Sequence, residues 1–196
     1  MKQRRFICVF TGSSPGARAE YRQAADALGR ALVQAGYGLV YGGGNVGLMG
    51  VIADAVLACS GHVCGVIPRA LKLKEVAHGG LTELRVVETM HQRKALMADM
   101  ADAFVALPGG LGTLEEFFEV LTWGQLGIHA KPCALLNVAG YYDPLLALFD
   151  HAVAERFISH EHREMVFVDT DPRALMRRLE SYEPPRIEKW LDREQT

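Results

Sequence analysis

Short apolar, β-branched runs alternate with longer amphipathic stretches along all 196 residues, and this alternation limits the possible folds more than any other feature. The runs are Phe6–Phe10, Gly38–Tyr41, His62–Ile67, Leu84–Val87, Ala103–Leu107, Cys133–Asn137 and Met165–Val168. Helical stretches lie between them, at about Ala19–Ala35, Gly47–Cys59, Met90–Met100, Gly112–Gln125, Asp143–Glu155 and Pro172–Ser181. In the first, Ala24, Ala27, Leu28, Ala31, Leu32 and Ala35 recur at spacings of three and four, which makes one apolar stripe. Strand–helix alternation throughout predicts an α/β fold: one domain with a parallel sheet and helices on both faces. The domain is expected over residues 1–183. Residues 184–196, with Pro184-Pro185 and mixed charges, read as a C-terminal tail.

Composition narrows the partners. A net charge of −2 argues against a broad basic face for nucleic acid. Apolar residues at 49% and charged residues at 22% exclude a disordered chain. Cys8, Cys59, Cys64 and Cys133 form no CxxC pair and no zinc-ligand spacing, so they read as free thiols in a reducing cytoplasm. The apolar run after Met1-Lys-Gln-Arg-Arg5 is too short for a secretory signal, and no run is long enough to span a membrane.

In doubly wound sheets, ligands bind beyond the carboxyl ends of the strands, where strand order reverses. Three of the segments after strands are glycine-rich turns leading into helices: Thr11–Gly16, Gly42–Gly47 and Pro108–Thr113. Small residues at a helix start leave backbone N–H groups and the positive end of the helix dipole open to an anion, most often phosphate. The expectation is a nucleotide or sugar-phosphate cleft.

Gly42-x-Gly44-x-x-Gly47 fits the dinucleotide fingerprint, but it follows the second strand. The next strand ends Val66-Ile67-Pro68-Arg69, with no acid for a ribose diol, which argues against a nicotinamide-dependent oxidoreductase. The same glycines also suit a tight turn and close helix–sheet packing. No GxxxxGK[ST] element is present, which argues against a P-loop triphosphatase.

Pro108-Gly-Gly-Leu-Gly-Thr-Leu-Glu-Glu116 is the most informative stretch. Two readings stand open. In one, Glu116 is the far end of a Thr113-x-x-Glu116 capping box. In the other, a carboxylate faces part of a ligand such as a ribose. Glu119 reads as a solvated helix-face residue. Thr89-x-x-Gln92 is again a capping box, followed by Arg93 and Lys94, two cations in a first turn where the dipole disfavours them. They suit a phosphate or a base, or else solvent. His91 reads as a polar contact, and Glu75 lies in a long loop between the third and fourth strands.

Pro108–Glu116, taken with Met90-His-Gln-Arg-Lys94 and Tyr41-Gly-Gly-Gly-Asn-Val-Gly-Leu-Met-Gly50, resembles the LONELY GUY (LOG) family, whose signature is PGGxGTxxE. The resemblance runs from about Phe6 to Ser181. It implies a Rossmann-like fold, a homodimer with sites near the interface, and neither metal nor cofactor. It also implies hydrolysis of the N-glycosidic bond of a purine nucleoside monophosphate, N6-modified or plain, to free base and ribose 5-phosphate. Family members often carry the label lysine decarboxylase, yet no lysine here stands out as a Schiff-base residue.

By position, the signature acid falls on Glu116, with Glu115 as the alternative, and the motif arginine falls on Arg93 beside Lys94. The expected ligand-binding set is Glu75, Arg93, Lys94, Gly109, Gly110, Leu111, Gly112, Thr113, Leu114, Glu115 and Thr122, with Gly43, Gly44 and Ser13 from the earlier turns. Glu116 would stabilise positive charge on the ribose, Arg93 would support the leaving base, and the glycine turn would hold the 5′-phosphate. The competing reading is a nucleotide- or cofactor-binding protein without catalysis.

Overall fold

A computed structural model describes residues 4–72 and 77–183. The strands are β1 (Arg5–Phe10), β2 (Tyr37–Tyr41), β3 (Val63–Pro68), β4 (Glu83–Val87), β5 (Ala103–Ala106), β6 (Cys133–Leu136) and β7 (Val166–Asp169). The helices are α1 (Ala19–Gln34), α2 (Gly47–Ala58), α3 (Arg69–Lys72), α4 (Met90–Met100), α5 (Leu111–Gln125), α6 (Asp143–Ala154), α7 (His160–Glu164) and α8 (Pro172–Glu180).

The strands form one parallel sheet in the order β4-β3-β2-β1-β5-β6-β7. Side chains alternate across it. Ile7 and Val9 of β1 join the core under α1, α2 and α8, with Leu28, Ile52 and Leu175. Cys8 and Phe10 join the core under α4, α5 and α6, with Met97, Phe117 and Phe149. Helices therefore cover both faces, as the alternation predicts. The chain moves from β1 out to β4 and returns to build β5 on the other side of β1. Strand order thus reverses between β1 and β5, and the crevice where ligands bind in such sheets opens there.

Two helices were not expected. α3 and α7 are short, contain no buried residue and carry no apolar period, so hydrophobic patterning could not signal them. The Ser159 hydroxyl starts α7 by accepting the His162 N–H at 3.2 Å. The expected tail, residues 184–196, lies outside the described residues, as does Glu75. Among the described residues no helix is long and apolar enough to cross a membrane.

Candidate active site

At the reversal, the two strand ends are stitched together. The Leu107 N–H donates to the Phe10 carbonyl (2.9 Å) and the Gly12 N–H to the Pro108 carbonyl (3.2 Å). This closeness explains Gly109: a Cβ there would lie 2.1 Å from Thr113 Oγ1 and 2.8 Å from the Gly12 nitrogen. A cleft of about 210 Å³ opens above the junction, lined by Ser13, Ser14, Gly109, Gly110, Tyr21 and Tyr141 among others. Leu111 begins α5, with Gly110 as its N-cap and no side chain capping it. The dipole and first-turn N–H groups of a four-turn helix thus open beside the cleft.

This placement decides between the two readings of Glu116. Thr113 lies inside the first turn, buried, rather than at the cap, so no Thr113–Glu116 capping box exists. The Glu116 carboxylate instead faces Arg93 from across the sheet edge, with Oε1 3.9 Å from Nη2. Both side chains are mostly buried, at 8% and 13% exposure. Arg93 is held loosely: Nη2 donates to the Gly42 carbonyl at 3.4 Å and Nη1 to the Met90 sulfur at 3.6 Å. Its Nε is buried without a hydrogen-bond partner. The field of this pair reaches the sheet below. Burial holds the Cys8 thiol well above its usual pKa; Glu116 raises it further and Arg93 opposes.

Lys94, next along α4, turns to α5. Its ammonium lies 2.6 Å from Glu115 and 3.0 Å from Glu119. Burial alone would lower its pKa, but hydrogen bonds to the two carboxylates raise it. Glu119 is consequently three-quarters covered and paired, not the solvated residue the sequence suggests. The Thr89 half of the expected capping box is formed, with the Gln92 N–H reaching Thr89 Oγ1 (3.1 Å); Gln92 Oε1 turns back one residue further, to the Glu88 N–H (2.9 Å).

The Gly42–Gly47 turn is engaged by the protein itself. A Cβ on Gly42 would lie 1.9 Å from Arg93 Nη2. Gly43, at φ +78°, packs on Ile67 and Leu84, and its carbonyl accepts the His78 N–H (3.0 Å). Gly44 bridges Ala77. The buried His78 ring fixes this junction, with Nε2 2.9 Å from Asp54 and Nδ1 accepting the Gly80 N–H.

Of the remaining expected ligand-binding residues, Leu111 stands 86% exposed beside the turn and Leu114 is half-buried on α5. The Thr122 hydroxyl bonds the Phe118 carbonyl within the same helix (2.7 Å). Sequence reasoning missed Tyr21 and Tyr141 on the cleft wall. Position just beyond the sixth strand was the available signal for Tyr141, because every segment after a strand's carboxyl end is a candidate.

Comparison with known proteins places the chain among its relatives. The profile of the family described as "Possible lysine decarboxylase" matches residues 49–179. The chain is 56% identical over 180 residues to the rice "Probable cytokinin riboside 5′-monophosphate phosphoribohydrolase LOGL9", covering 92% of this chain and 79% of that protein. It is 55% identical to the cytokinin riboside 5′-monophosphate phosphoribohydrolase of Rhodococcoides fascians, covering 84% of each. Among solved structures, the molybdenum cofactor binding protein of Rippkaea orientalis superposes with a TM-score of 0.71 over 92% of this chain and 98% of that one. At 22% identity that likeness concerns the fold alone.

Proposed function

Because the chain belongs to the LOG family of cytokinin riboside 5′-monophosphate phosphoribohydrolases, we propose that it hydrolyses the N-glycosidic bond of adenosine 5′-monophosphates, plain or N6-modified. Free base and ribose 5-phosphate are released. The observation that carries this reading is the buried Arg93–Glu116 pair beside an uncapped, glycine-rich helix start.

The 5′-phosphate lies over Gly109 and Gly110, against the open end of α5, with Leu111, Gly112 and Thr113 supplying first-turn backbone groups and Ser13 the opposite side. Anchoring the phosphate holds the ribose beside the ion pair, so the bond to be cleaved is presented in one orientation. As the C1′–N9 bond lengthens, positive charge builds on the ribose ring. The Glu116 carboxylate faces that charge. Water adds its oxygen to C1′, the bonding pair leaves with N9, and a proton from the water ends on the base. The Arg93 guanidinium supports the negative charge growing on the purine. Lys94, Glu115 and Glu119 brace α4 against α5 and keep the pair in register, with Gly43 and Gly44 fixing the wall behind Arg93. Leu114, Thr122 and the loop residue Glu75 complete the surroundings of the base and sugar.

The reading includes a homodimer whose interface runs beside the cleft. The exposed apolar side chains Leu111 and Met90, at the starts of α5 and α4, support it. Four free cysteines among the described residues suit the cytoplasm.

The test is chromatographic. Purified protein is incubated with AMP, N6-isopentenyl-AMP and the matching nucleosides, and free base is measured. Release is expected from the monophosphates only, and Glu116→Gln, still folded, is expected to lose about 10²–10³ in rate. Binding of the monophosphates without release of base would instead identify a non-catalytic nucleotide-binding protein.

A further inference from the structure

Two tyrosine rings stand on the wall of the cleft proposed to hold the phosphate, and nothing in the chemistry of N-glycoside cleavage requires that. Tyr141 and Tyr21 both line the cleft and meet edge to face, with centroids 5.9 Å apart and planes at 80°. Tyr141 also donates its hydroxyl hydrogen to the Gly109 carbonyl, so the ring is tied to the turn it overhangs. Neither Arg93 nor Glu116 lines this cleft, which places the tyrosines at the end away from the reacting bond.

The backbone that presents Tyr141 is built to hold it there. Ala139 sits at φ +51°, a left-handed conformation that is unfavourable for a residue with a Cβ. Gly140 follows at φ +72°. Asn137 fixes the turn from both sides, donating Nδ2–H to Asp143 (2.7 Å) and accepting the Tyr142 N–H (2.8 Å). The Tyr142 hydroxyl donates to the Leu107 carbonyl at 2.7 Å, joining the turn to the end of β5. Strain of this kind persists only where surrounding contacts over-determine it, and here they aim one ring at the cleft.

Charge supports the same conclusion. Among the described residues, those lining the cleft are uncharged. Backbone N–H groups and a helix dipole suffice for one phosphate, whereas a polyphosphate is ordinarily met by lysine, arginine or a bound cation. A volume of about 210 Å³ falls below the roughly 300–1,000 Å³ of pockets that enclose whole ligands, so the cleft holds only part of one.

We propose that Tyr141, backed by Tyr21, is a specificity-determining residue that closes the cleft behind the 5′-phosphate and rejects nucleoside 5′-diphosphates. The proposal rests on the phosphate placement given under the proposed function. A β-phosphate leaving the cleft on the Tyr141 side would meet the two rings, and the residues that line the cleft offer it no cation.

The experiment compares kcat/KM for adenine release from AMP and from ADP freed of AMP, in the wild type, Tyr141→Phe, Tyr141→Ala and Tyr21→Ala. The wild type is expected to prefer AMP strongly. Tyr141→Ala should narrow the AMP/ADP ratio by about tenfold or more, by raising the ADP value. Tyr141→Phe, which keeps the ring and loses the hydroxyl, should keep the wild-type ratio. An unchanged ratio in both alanine variants overturns the proposal. So does a Tyr141→Phe ratio that moves as far as that of Tyr141→Ala, because the determinant would then be the hydrogen bond to Gly109 and not the wall. If Tyr141→Ala does not fold, Tyr21→Ala carries the test. If the wild type releases no base from any monophosphate, the proposed function falls, and calorimetric affinities for AMP and ADP in the same variants then decide the wall by the same ratio.

Discussion

Two glycine-rich turns follow strand ends at the same edge of the sheet, and the protein uses them in opposite ways. In Gly42–Gly47 the protein itself fills the space that side chains would take: Arg93 meets Gly42, Ile67 meets Gly43, and Ser13 meets Gly47. Even the helix start behind it is spoken for, because the Leu48 N–H donates to the Gly12 carbonyl at 3.0 Å. In the turn after β5, Gly109 is equally crowded, yet Gly110 and Gly112 have open space where a Cβ would be. No packing or left-handed backbone in the protein demands glycine at those two positions. A phosphate lying on α5, as proposed, would give glycine a use there. One helix joins the two turns: on α4, Arg93 reaches back to Gly42 and Lys94 reaches across to Glu115 and Glu119 of α5.

The largest effect is expected at Gly42. An alanine there would drive a methyl group into the Arg93 guanidinium, and either that side chain or the turn must move. Turnover should fall by about 10²–10³ while the protein still binds monophosphate. Near-wild-type release of base by folded Gly42→Ala would mean that Arg93 does not act from where it stands. Gly109→Ala comes next, through stability. Its methyl group would meet both the Thr113 hydroxyl and the backbone nitrogen of Gly12, and backbone cannot give way cheaply. Urea unfolding should show a loss of about 1–3 kcal/mol.

Gly110→Ala reverses that pattern. Gly110 is extended, at φ −89° and ψ −159°, and its neighbourhood is open. Stability should stay within about 0.5 kcal/mol of wild type, and KM for AMP should rise because a methyl group enters the phosphate's place. A rise in KM with unchanged stability is what separates a ligand glycine from a packing glycine. If Gly110→Ala leaves KM untouched, the two turns differ in packing only.

This contrast was not legible in the sequence, though much of the fold was. The apolar runs locate every strand to within about two residues, because alternation and β-branching are local properties of the chain. The same holds for α1, α2, α4, α5, α6 and α8. Glycine clustering is local too, but whether a glycine serves a neighbour or a ligand depends on contacts from afar: Arg93 is 51 residues from Gly42. The signature Pro108–Glu116 did lead to the carboxylate, and the first residue of α5 then decided what it faces. With Thr113 as cap, Glu116 would have turned back on its own helix. With Gly110 as cap, it meets Arg93. For Tyr141 the sequence signals only a place beyond the sixth strand; the direction of its ring depends on a left-handed alanine, which no composition rule signals.

The smallest effect tests the link between the turns. Lys94→Met keeps the stem of the side chain and removes its charge from Glu115 and Glu119. The Lys94 side chain is 12% exposed, but Glu115 is 54% exposed, so solvent screens part of the attraction and the loss should be at most about 1 kcal/mol. Its pH dependence has a definite sign. Hydrogen bonds to the two carboxylates outweigh burial and raise the lysine pKa in the folded protein. A raised pKa means that the folded state holds the proton more tightly. The contribution is therefore complete below the ordinary lysine value of about 10.4 and disappears as pH rises through the higher, folded value. The urea midpoints of wild type and Lys94→Met should differ by a constant amount from pH 7 to 9 and converge above pH ~10.4, where the lysine of the unfolded chain loses its proton before that of the folded one. Turnover at neutral pH should fall far less than in Gly42→Ala, since Lys94 braces α5 and it is Arg93, not Lys94, that is proposed to act on the leaving base. A loss of turnover as large as that of Gly42→Ala, with stability unchanged, would instead make Lys94 a ligand contact.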